Sequence, residues 1–310
     1  MPQFDVTMAG ELNLDLILYG LPEQLEPERE LLADRMALTL GGSSAIFAHN
    51  LATLGAKVGF ISKIGEDAMG TIALEKLHEG GVDVSRVRYA PNGMATGLSV
   101  ILQHPTWRNI LTHLGTISEL TFEDLDLDYL KSSRHFHLSS FYLQRALQPR
   151  IAELFQILKA AGLTLSMDTN DDPDDTWQGG LIDVLKYLDV FMPNERETRR
   201  IAGTENLDAA IARLAEMVPL VVVKMGSKGA LARRGHEQLR RAAIGVEPVD
   251  AVGAGDSFDS GFISQYVRGS DLETCLRYGN LAGAFSTTRA GGTDAFRDRQ
   301  WRESFFREHR

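Results

Sequence analysis

Cysteine is almost absent. Cys275 stands alone among 310 residues, so no disulfide can close within the chain and no thiolate cluster is available to a metal. It falls in the helical stretch Leu272–Ala284 and is expected to be packed there. Long apolar runs are missing too: nothing approaches the ~20 residues of a membrane-spanning helix. The opening, MPQFDVTMAG, has neither the basic nor the apolar region of a secretion signal. Positive charge is in deficit, with 32 Lys and Arg against 42 Asp and Glu and a formal net charge of −10 at pH 7. That balance argues against a nucleic-acid backbone as the general partner. No internal repeat, low-complexity tract or long linker divides the chain. The expectation is a soluble cytoplasmic protein with no nucleic-acid or membrane partner. Its 44% hydrophobic and 24% charged residues suit one large α/β domain.

What is present is alternation. Short apolar, β-branched segments alternate with amphipathic ones. Strands are expected at 4–9, 57–62, 134–138, 163–167, 190–192 and 220–224. Helices are expected between them at 44–54, 68–78, 149–161, 194–201 and 208–217. This predicts a mostly parallel sheet covered on both faces, with ligands outside the carboxyl ends of its strands. Two segments depart from the pattern. Residues 13–40 carry a short apolar strand, an acidic proline-containing loop and a second extended run. Residues 87–114 carry extended runs at 96–102 and 108–114 about a turn at 104–107. Together they predict a small sheet projecting from the main one.

The densest signal is DAVGAGDSFDSGF, from Asp250 to Phe262. The preceding residues 242–246 read as a strand. Gly253, Ala254 and Gly255 have little side-chain bulk and leave backbone N–H groups open. A helix then starts near Asp256, where Phe258, Phe262, Ile263, Tyr266 and Val267 recur at helical spacing, and Gly269 suits its end. A helix N-terminus behind such a turn is a ready anion site. Asp256 would repel a resting phosphate there. Its place makes sense for a base that takes a proton from a hydroxyl while the N–H groups hold the phosphoryl group in transfer. The competing reading is a tight turn in which Asp256 caps the helix.

The whole string resembles the signature of the ribokinase-like carbohydrate kinases, also called the phosphofructokinase B family. That signature runs roughly D-T/S-x-G-A-G-D-S/T-F, and Ala251 stands where Thr or Ser is usual. The resemblance covers nearly the whole chain. It implies a ribokinase-like three-layer α/β sandwich with a mostly parallel central sheet. Residues 1–310 would form a single kinase domain, with a small β lid from segments near 13–40 and 87–114. The implied activity is ATP-dependent, magnesium-assisted phosphoryl transfer to a hydroxyl of a sugar or polyol. Asp256 would be the base, with Gly253, Ala254 and Gly255 forming the anion hole.

Other motifs follow in the family's order. GGSSAIFAHNLATLG looks like its N-terminal signature. Gly41 and Gly42 let backbone approach a substrate, and the family's sugar-binding Asn falls on Ile46. Asn50, one turn further, reads equally well as a packing residue. GELNLDLIL supplies Asn13 and Asp15, where a carboxylate accepts hydrogen bonds from vicinal hydroxyls. Asp67 is expected to cap the helix that follows it. Asp168 and Asn170 face the crevice, but the Arg that often follows in the family is absent. Asp171, Asp172, Asp174 and Asp175 read as a solvated acidic loop. Asn194 and Glu197 match an N-x-x-E element that, in the family, organises hydrated Mg2+ and phosphates; capping by Asn194 is compatible with that role. VVVKMGSKGAL resembles the nucleotide segment, with Gly226 and Gly229 shaping a turn and Lys224 placed for a phosphate. Asn280 lies with Ala282 and Gly283 on a helix that backs the adenine in the family, although helix packing explains these small residues as well. Residues Arg289 to Thr293, with the Asp250 carboxylate and the Val252 carbonyl, imply a monovalent cation such as K+.

Alternatives stay open at this point. An apolar Ile46 wall favours a nucleoside kinase of the same fold. A phosphosugar kinase would draw on Arg108 and Lys63 near the lid. A non-catalytic sugar-binding sensor is the reading outside enzymes, and the intact Asp256 weighs against it. A dinucleotide-dependent oxidoreductase fails, because Ala9-Gly10-Glu11-Leu12-Asn13 lacks a G-x-G-x-x-G after the first strand. A homodimer through the lid is a further arrangement that the resemblance allows.

Overall fold

The computed structural model describes residues 2–309. Its strands are β1 Phe4–Ala9, β2 Asn13–Tyr19, β3 Arg35–Gly41, β4 Val58–Ile64, β5 Asp83–Tyr89, β6 Leu98–Gln103, β7 Arg108–His113, β8 Ser133–Leu138, β9 Thr164–Met167, β10 Val190–Phe191, β11 Leu220–Lys224, β12 Ala230–Arg234 and β13 Glu237–Arg241. The helices are α1 Ser43–Thr53, α2 Ala68–Glu79, α3 Leu127–Lys131, α4 Ile151–Ala160, α5 Leu181–Leu185, α6 Glu195–Ala202, α7 Leu207–Ala215, α8 Ala254–Tyr266, α9 Leu272–Ser286, α10 Asp294–Arg297 and α11 Arg299–Glu308. Every strand and helix expected from the alternation is found within a few residues of its predicted place, apart from the run at 242–246. Among the described residues no helix is long and apolar enough to cross a membrane.

The central sheet has nine strands in the order β13-β12-β11-β10-β9-β8-β1-β4-β5. Pairing is parallel from β11 through β5 and antiparallel only at β11–β12 and β12–β13. Strand β11 shows why its sequence reads as a continuous apolar run. Val221 and Val223 enter the core layer that includes Phe155 of α4 and Ile211 of α7, whereas Leu220 and Val222 enter the layer of Phe47, Phe262 and Leu276. Both faces are buried, so both must be apolar. The alternation carries Lys224 to the same side as α8.

Strand β8 accommodates polar residues on a buried face. His137 stacks on Phe47 with ring centroids 3.9 Å apart. Its Nδ1 and the Nε2 of His135 each lie 2.7 Å from Ser166 Oγ, and its Nε2 lies 3.0 Å from Ser139 Oγ. Burial pushes His135 down to about 3 and His137 well below the ordinary imidazole range, so both rings are neutral and need these partners.

The second sheet has the order β3-β2-β6-β7, with β2 and β6 parallel and both outer pairs antiparallel. It is built from the two segments that broke the alternation. The second segment contributes only from Leu98 onward, because Val87–Tyr89 belong to β5 at the edge of the central sheet.

One expected strand is absent. Residues 242–246 follow β13 as extended chain without ladder partners. Ile244 and Val246 instead pack against the cluster of Leu281, Phe285 and Phe296. The sequence signal reported apolar burial, not pairing. The hairpin β12–β13 went unread for the opposite reason. Its outer strand β13 is rich in Arg, Glu and Gln, and only Ala230, Leu231 and Ala232 of β12 enter the core, an apolar run too short to stand out.

Helices α8 and α9 approach closely. A Cβ on Gly261 would lie 2.3 Å from the Tyr278 carbonyl oxygen and 2.6 Å from the Ala282 Cβ, and one on Gly279 would lie 2.7 Å from the Phe258 ring. Helix propensity alone favours Gly261→Ala by ~1 kcal/mol. Overpacking opposes it by ~1–3 kcal/mol or more. The expected outcome is net destabilisation, read as a lower denaturant midpoint at unchanged m-value. A midpoint that stays or rises would refute the close crossing.

Candidate active site

The two sheets enclose a cleft of about 840 Å³. One wall is the start of α8. Its cap residue Gly253 has φ +68°, and a Cβ there would lie 2.6 Å from Gly292 Cα, so a side chain is excluded twice over. Ala254, Gly255 and Asp256 form the first turn, where N–H groups lack intrahelical acceptors, and all three line the cleft. Asp256 makes no side-chain cap. Its Oδ1 accepts a hydrogen bond from Asn170 Nδ2 at 3.3 Å, and Asn170 Oδ1 accepts from the Ser140 N–H at 2.8 Å. Burial, then the charge of Asp168, pushes Asp256 up to about 6.

Behind this turn lies a buried ion cluster. Lys224 Nζ is 2.5 Å from Asp168 Oδ2 and 2.9 Å from Asp259 Oδ2. Burial works against its charge, but Asp168, Asp259 and Glu197 hold it protonated far above the usual lysine range. The lysine was expected to reach a phosphate; two carboxylates hold it instead. It still borders the anion hole, since a Cβ on Gly255 would lie 3.5 Å from Nζ. Asp259 was not singled out from the sequence. Its position one helical turn after Asp256, as the second acid of that helix, was the available signal.

At the other end, β2 presents Asn13 and Asp15. Gly41 and Gly42 make room for them: a Cβ on Gly41 would lie 2.2 Å from Asp15 Oδ1, and one on Gly42 would lie 2.6 Å from Asn13 Oδ1. Asn13, Asp15 and Gly42 line the cleft, whereas Gly41 lies behind Asp15. Asn13 Oδ1 is buried without a partner. Burial, then the charges of Asp256, Asp250 and Glu11, pushes Asp15 up to about 8. Glu11 escaped the sequence reading. It is buried and accepts from the Ser44 N–H at 3.0 Å, Ser44 Oγ at 2.7 Å, Ser140 Oγ at 2.7 Å and Gln144 Nε2 at 3.2 Å, which ties β1 to α1 and to the loop after β8. Ile46 lines the cleft but also packs tightly, its Cγ2 2.7 Å from where a Cβ on Gly292 would sit. Asn50 is a packing residue: its Nδ2 donates to Ser257 Oγ and to the Gly292 carbonyl, each at 2.9 Å.

Of the residues expected to meet a nucleotide, Asn194, Glu197, Lys224 and Gly226 line the cleft. Asn194 and Glu197 form a capping box, with Asn194 Oδ1 accepting from the Glu197 N–H at 3.0 Å and Glu197 Oε2 from the Asn194 N–H at 2.8 Å. Burial, then the charge of Asp168, pushes Glu197 up to about 8. The other two expected residues lie off the cleft wall. Gly229, at φ +92°, turns β11 into β12, and a Cβ there would collide with the Arg241 carbonyl at 1.9 Å. Asn280 Nδ2 donates to the carbonyls of Ala242 at 3.0 Å and Arg241 at 3.4 Å, fastening the chain where it leaves β13.

Three further expectations change. Asp172 is buried rather than solvated and accepts from the N–H groups of Asp174, Thr176 and Trp177; burial raises its proton affinity, but these bonds outweigh it and hold the carboxyl below its usual range. Lys63 is bound to Asp124 at 2.5 Å and to the Glu119 carbonyl at 3.1 Å, off the cleft wall, whereas Arg108 and a second arginine, Arg145, line it. Asp250 Oδ1 accepts from the Val252 N–H at 2.9 Å, and Oδ2 accepts from the Gly291 N–H at 3.1 Å and from the Tyr19 hydroxyl. Three donors already answer the charge that the expected monovalent cation would neutralise, so the site fits that ion poorly.

Comparison with known proteins bears on this geometry. The sequence profile of the pfkB family carbohydrate kinases matches residues 3–299. An ATP-dependent ribose-1-phosphate kinase of Halopiger xanaduensis is 29% identical over 298 residues, covering 94% of each chain. A 2-dehydro-3-deoxygluconokinase of Bacillus subtilis is 28% identical over 284 residues, covering 87% of each. The crystal structure of an E. coli protein assigned as a ribokinase II, in complex with ATP and Mg2+, superposes with a TM-score of 0.83 at 27% identity, over 98% of this chain and 99% of that one. The mostly parallel sheet with a small second sheet is the ribokinase fold, and the chain is a carbohydrate kinase of the pfkB family.

Proposed function

We propose that this kinase transfers the γ-phosphoryl group of Mg-ATP to a hydroxyl of a sugar or sugar derivative, with Asp256 as the general base. The observation that carries the reading is the placement of Asp256. It is a buried carboxylate in the first turn of a glycine-capped helix, sharing one cleft with Asn13 and Asp15. Asp15 and the free Asn13 oxygen bind acceptor hydroxyls. Asn170 orients Asp256, which takes the proton as the hydroxyl oxygen attacks phosphorus. The open N–H groups of Gly255 and Asp256 hold the charge that develops on the transferring group. The second sheet serves as the lid that excludes water.

Asn194 and Glu197 suit a hydrated Mg2+. Burial and then the charge of Asp168 raise Glu197, a cost that a nearby cation would relieve, and Mg2+ binds through waters, few carboxylates and substrate phosphates. The ion supplies charge neutralisation on the phosphates. At Asp250 we infer that the Tyr19 hydroxyl takes the part expected of K+.

A phosphosugar or sugar-acid acceptor is favoured over a neutral one by Arg108 and Arg145. Both are exposed guanidiniums on the cleft wall, and among the described residues Arg145 has only a long contact to Asp174 at 3.7 Å.

Three outcomes test these assignments. Because Asp256 acts ionised and sits near 6, activity should fall as pH drops through about 6, while Asp256→Asn should lose about 10²–10⁴-fold in turnover. Near-native turnover in that variant removes Asp256 from the chemistry. In an acceptor panel of ribose, sugar phosphates, sugar acids and nucleosides, an anionic acceptor should be best. Arg108→Gln and Arg145→Gln should each raise its KM about tenfold or more while sparing neutral acceptors. A preference for ribose or a nucleoside sinks that choice. Finally, rates in potassium, sodium and tetramethylammonium chloride at equal ionic strength should agree, and Tyr19→Phe should slow turnover. Stimulation of the wild type by potassium would restore the cation.

A further inference from the structure

A second cavity, of about 660 Å³, lies between the carboxyl ends of α1 and α8, helix α9 and helix α11. It shares no lining residue with the catalytic cleft. Its chemistry inverts that of the rest of the chain. In a protein of net charge −10, its wall holds Arg268, Arg299, Arg302 and Arg307 against a single carboxylate, Glu303. On α11 the residues Arg299, Arg302, Glu303, Phe306 and Arg307 follow the i, i+3, i+4, i+7, i+8 spacing, so one helical face is turned to the cavity.

The partners within the chain are too few for these cations. Arg299 Nε donates to Glu303 Oε1 at 2.7 Å, Arg268 Nη2 to the Leu54 carbonyl at 3.2 Å, and Arg302 Nη1 to the Phe296 carbonyl at 2.6 Å. Each guanidinium carries five N–H donors. Among the described residues Arg307 has no hydrogen-bond or ion-pair partner within the chain. Arg302 is half-buried; burial lowers its proton affinity, Glu303 opposes that, and Arg299 adds to it. Such crowding of like charges is unfavourable and would be relieved by an anion. Tyr278 and Phe306, with ring centroids 6.1 Å apart, add an apolar surface.

We propose that this cavity is a binding site for a small phosphorylated metabolite, separate from the catalytic cleft. Its volume suits a small molecule, and a planar fork that pairs bidentately with phosphate oxygens is what arginine supplies. The position also gives the site a mechanical link to catalysis. Helix α1 begins at Gly42 and Ile46 and ends at the cavity with Thr53 and Leu54. Helix α8 begins at the anion hole and reaches the cavity with Ser264 and Gln265. The two are joined by the Asn50–Ser257 hydrogen bond at 2.9 Å. A ligand that bridges Arg268 and α11 therefore acts on the far ends of the two helices that carry the acceptor and phosphoryl sites.

The test uses inorganic pyrophosphate as the probe, with calorimetric titration of the whole protein at physiological salt. Arg299 and Arg307 are exposed, so the double variant Arg299→Gln/Arg307→Gln keeps its core and its turnover in the absence of probe. The expected result is a pyrophosphate site in the wild type that the double variant loses or weakens about tenfold or more. Its return in Arg299→Lys/Arg307→Lys, at reduced affinity, is also expected. Equal binding by wild type and the Gln double variant would place the probe in the catalytic cleft alone and overturn the proposal. No binding at millimolar probe would overturn it as well.

Discussion

One buried lysine sets the terms for this cleft. Lys224 sits among carboxylates from β9, α6 and α8, and it joins elements far apart in sequence through Asp168 and Asp259. An ion pair in a buried setting is weak evidence of net stability, because desolvation offsets attraction. Its effect here is on arrangement. Without Lys224, Asp168 and Asp259 would be buried carboxylates with no counter-charge, and only apolar packing would join β11 to α8. Even with it the cleft is short of positive charge. Asp15 and Glu197 are pushed up to about 8 and Asp256 to about 6, each chiefly by burial and then by a neighbouring carboxylate. A resting site with this surplus suits a substrate that arrives with cations attached. It also leaves Asp256, the proposed base, only partly reluctant to ionise, which is the range in which a carboxylate takes a proton usefully near neutrality.

Glycine handles the second constraint, which is space. Asp15 and Asn13 point where Gly41 and Gly42 leave no side chain, and the anion hole closes on Gly292 only because Gly253 has none. These positions convert backbone proximity into chemistry. The Asp15 carboxylate and the first-turn amides of α8 are brought into one cleft by pairs of segments that pass each other at distances a Cβ would forbid. Ile46 occupies the remaining gap and touches both glycines of the anion-hole side. It therefore acts as a spacer as well as a wall, and its replacement of a polar residue alters packing as well as recognition.

Much of this was legible in the sequence, and the failures have a common cause. Apolar periodicity located the buried strands and the core helices, and the glycine-rich string located the turn that opens α8 at the cleft. Periodicity reports burial, however, and not what a backbone pairs with. Hence residues 242–246 read as a strand although their apolar side chains serve the C-terminal cluster, while the polar hairpin β12–β13 and the edge strand β5 went unread. Site residues divide in the same way. Asp256, Asp15 and Glu197 sit at strand or helix ends, where motif position and chemistry coincide. Glu11, Asp259 and Tyr19 matter through partners more than 30 residues away: Glu11 bonds Ser44 and Ser140, Asp259 bonds Lys224, and Tyr19 bonds Asp250. Nothing local marks such residues, because the charge or donor that gives them meaning is brought near only by the fold.

Tyr19 shows what that distance permits. It belongs to β2 in the second sheet, yet its hydroxyl reaches the carboxylate just before the anion hole, and its ring packs with Ile17, Ile101 and Val252. The second sheet is thus fastened to the anion-hole loop through a hydrogen bond and a small apolar cluster, in addition to covering the cleft. A movement of that sheet must carry Asp250, break the bond or rotate about it. In the first case the Gly253–Asp256 turn moves with the sheet; in the second the buried carboxylate loses one of its three donors. Either way the state of the sheet is transmitted to the amides proposed to hold the transferring group. The α1–α8 junction at Asn50 and Ser257 lies on the other side of the same turn. The catalytic turn is therefore braced from two directions by contacts that touch neither the proposed acceptor nor the phosphoryl group.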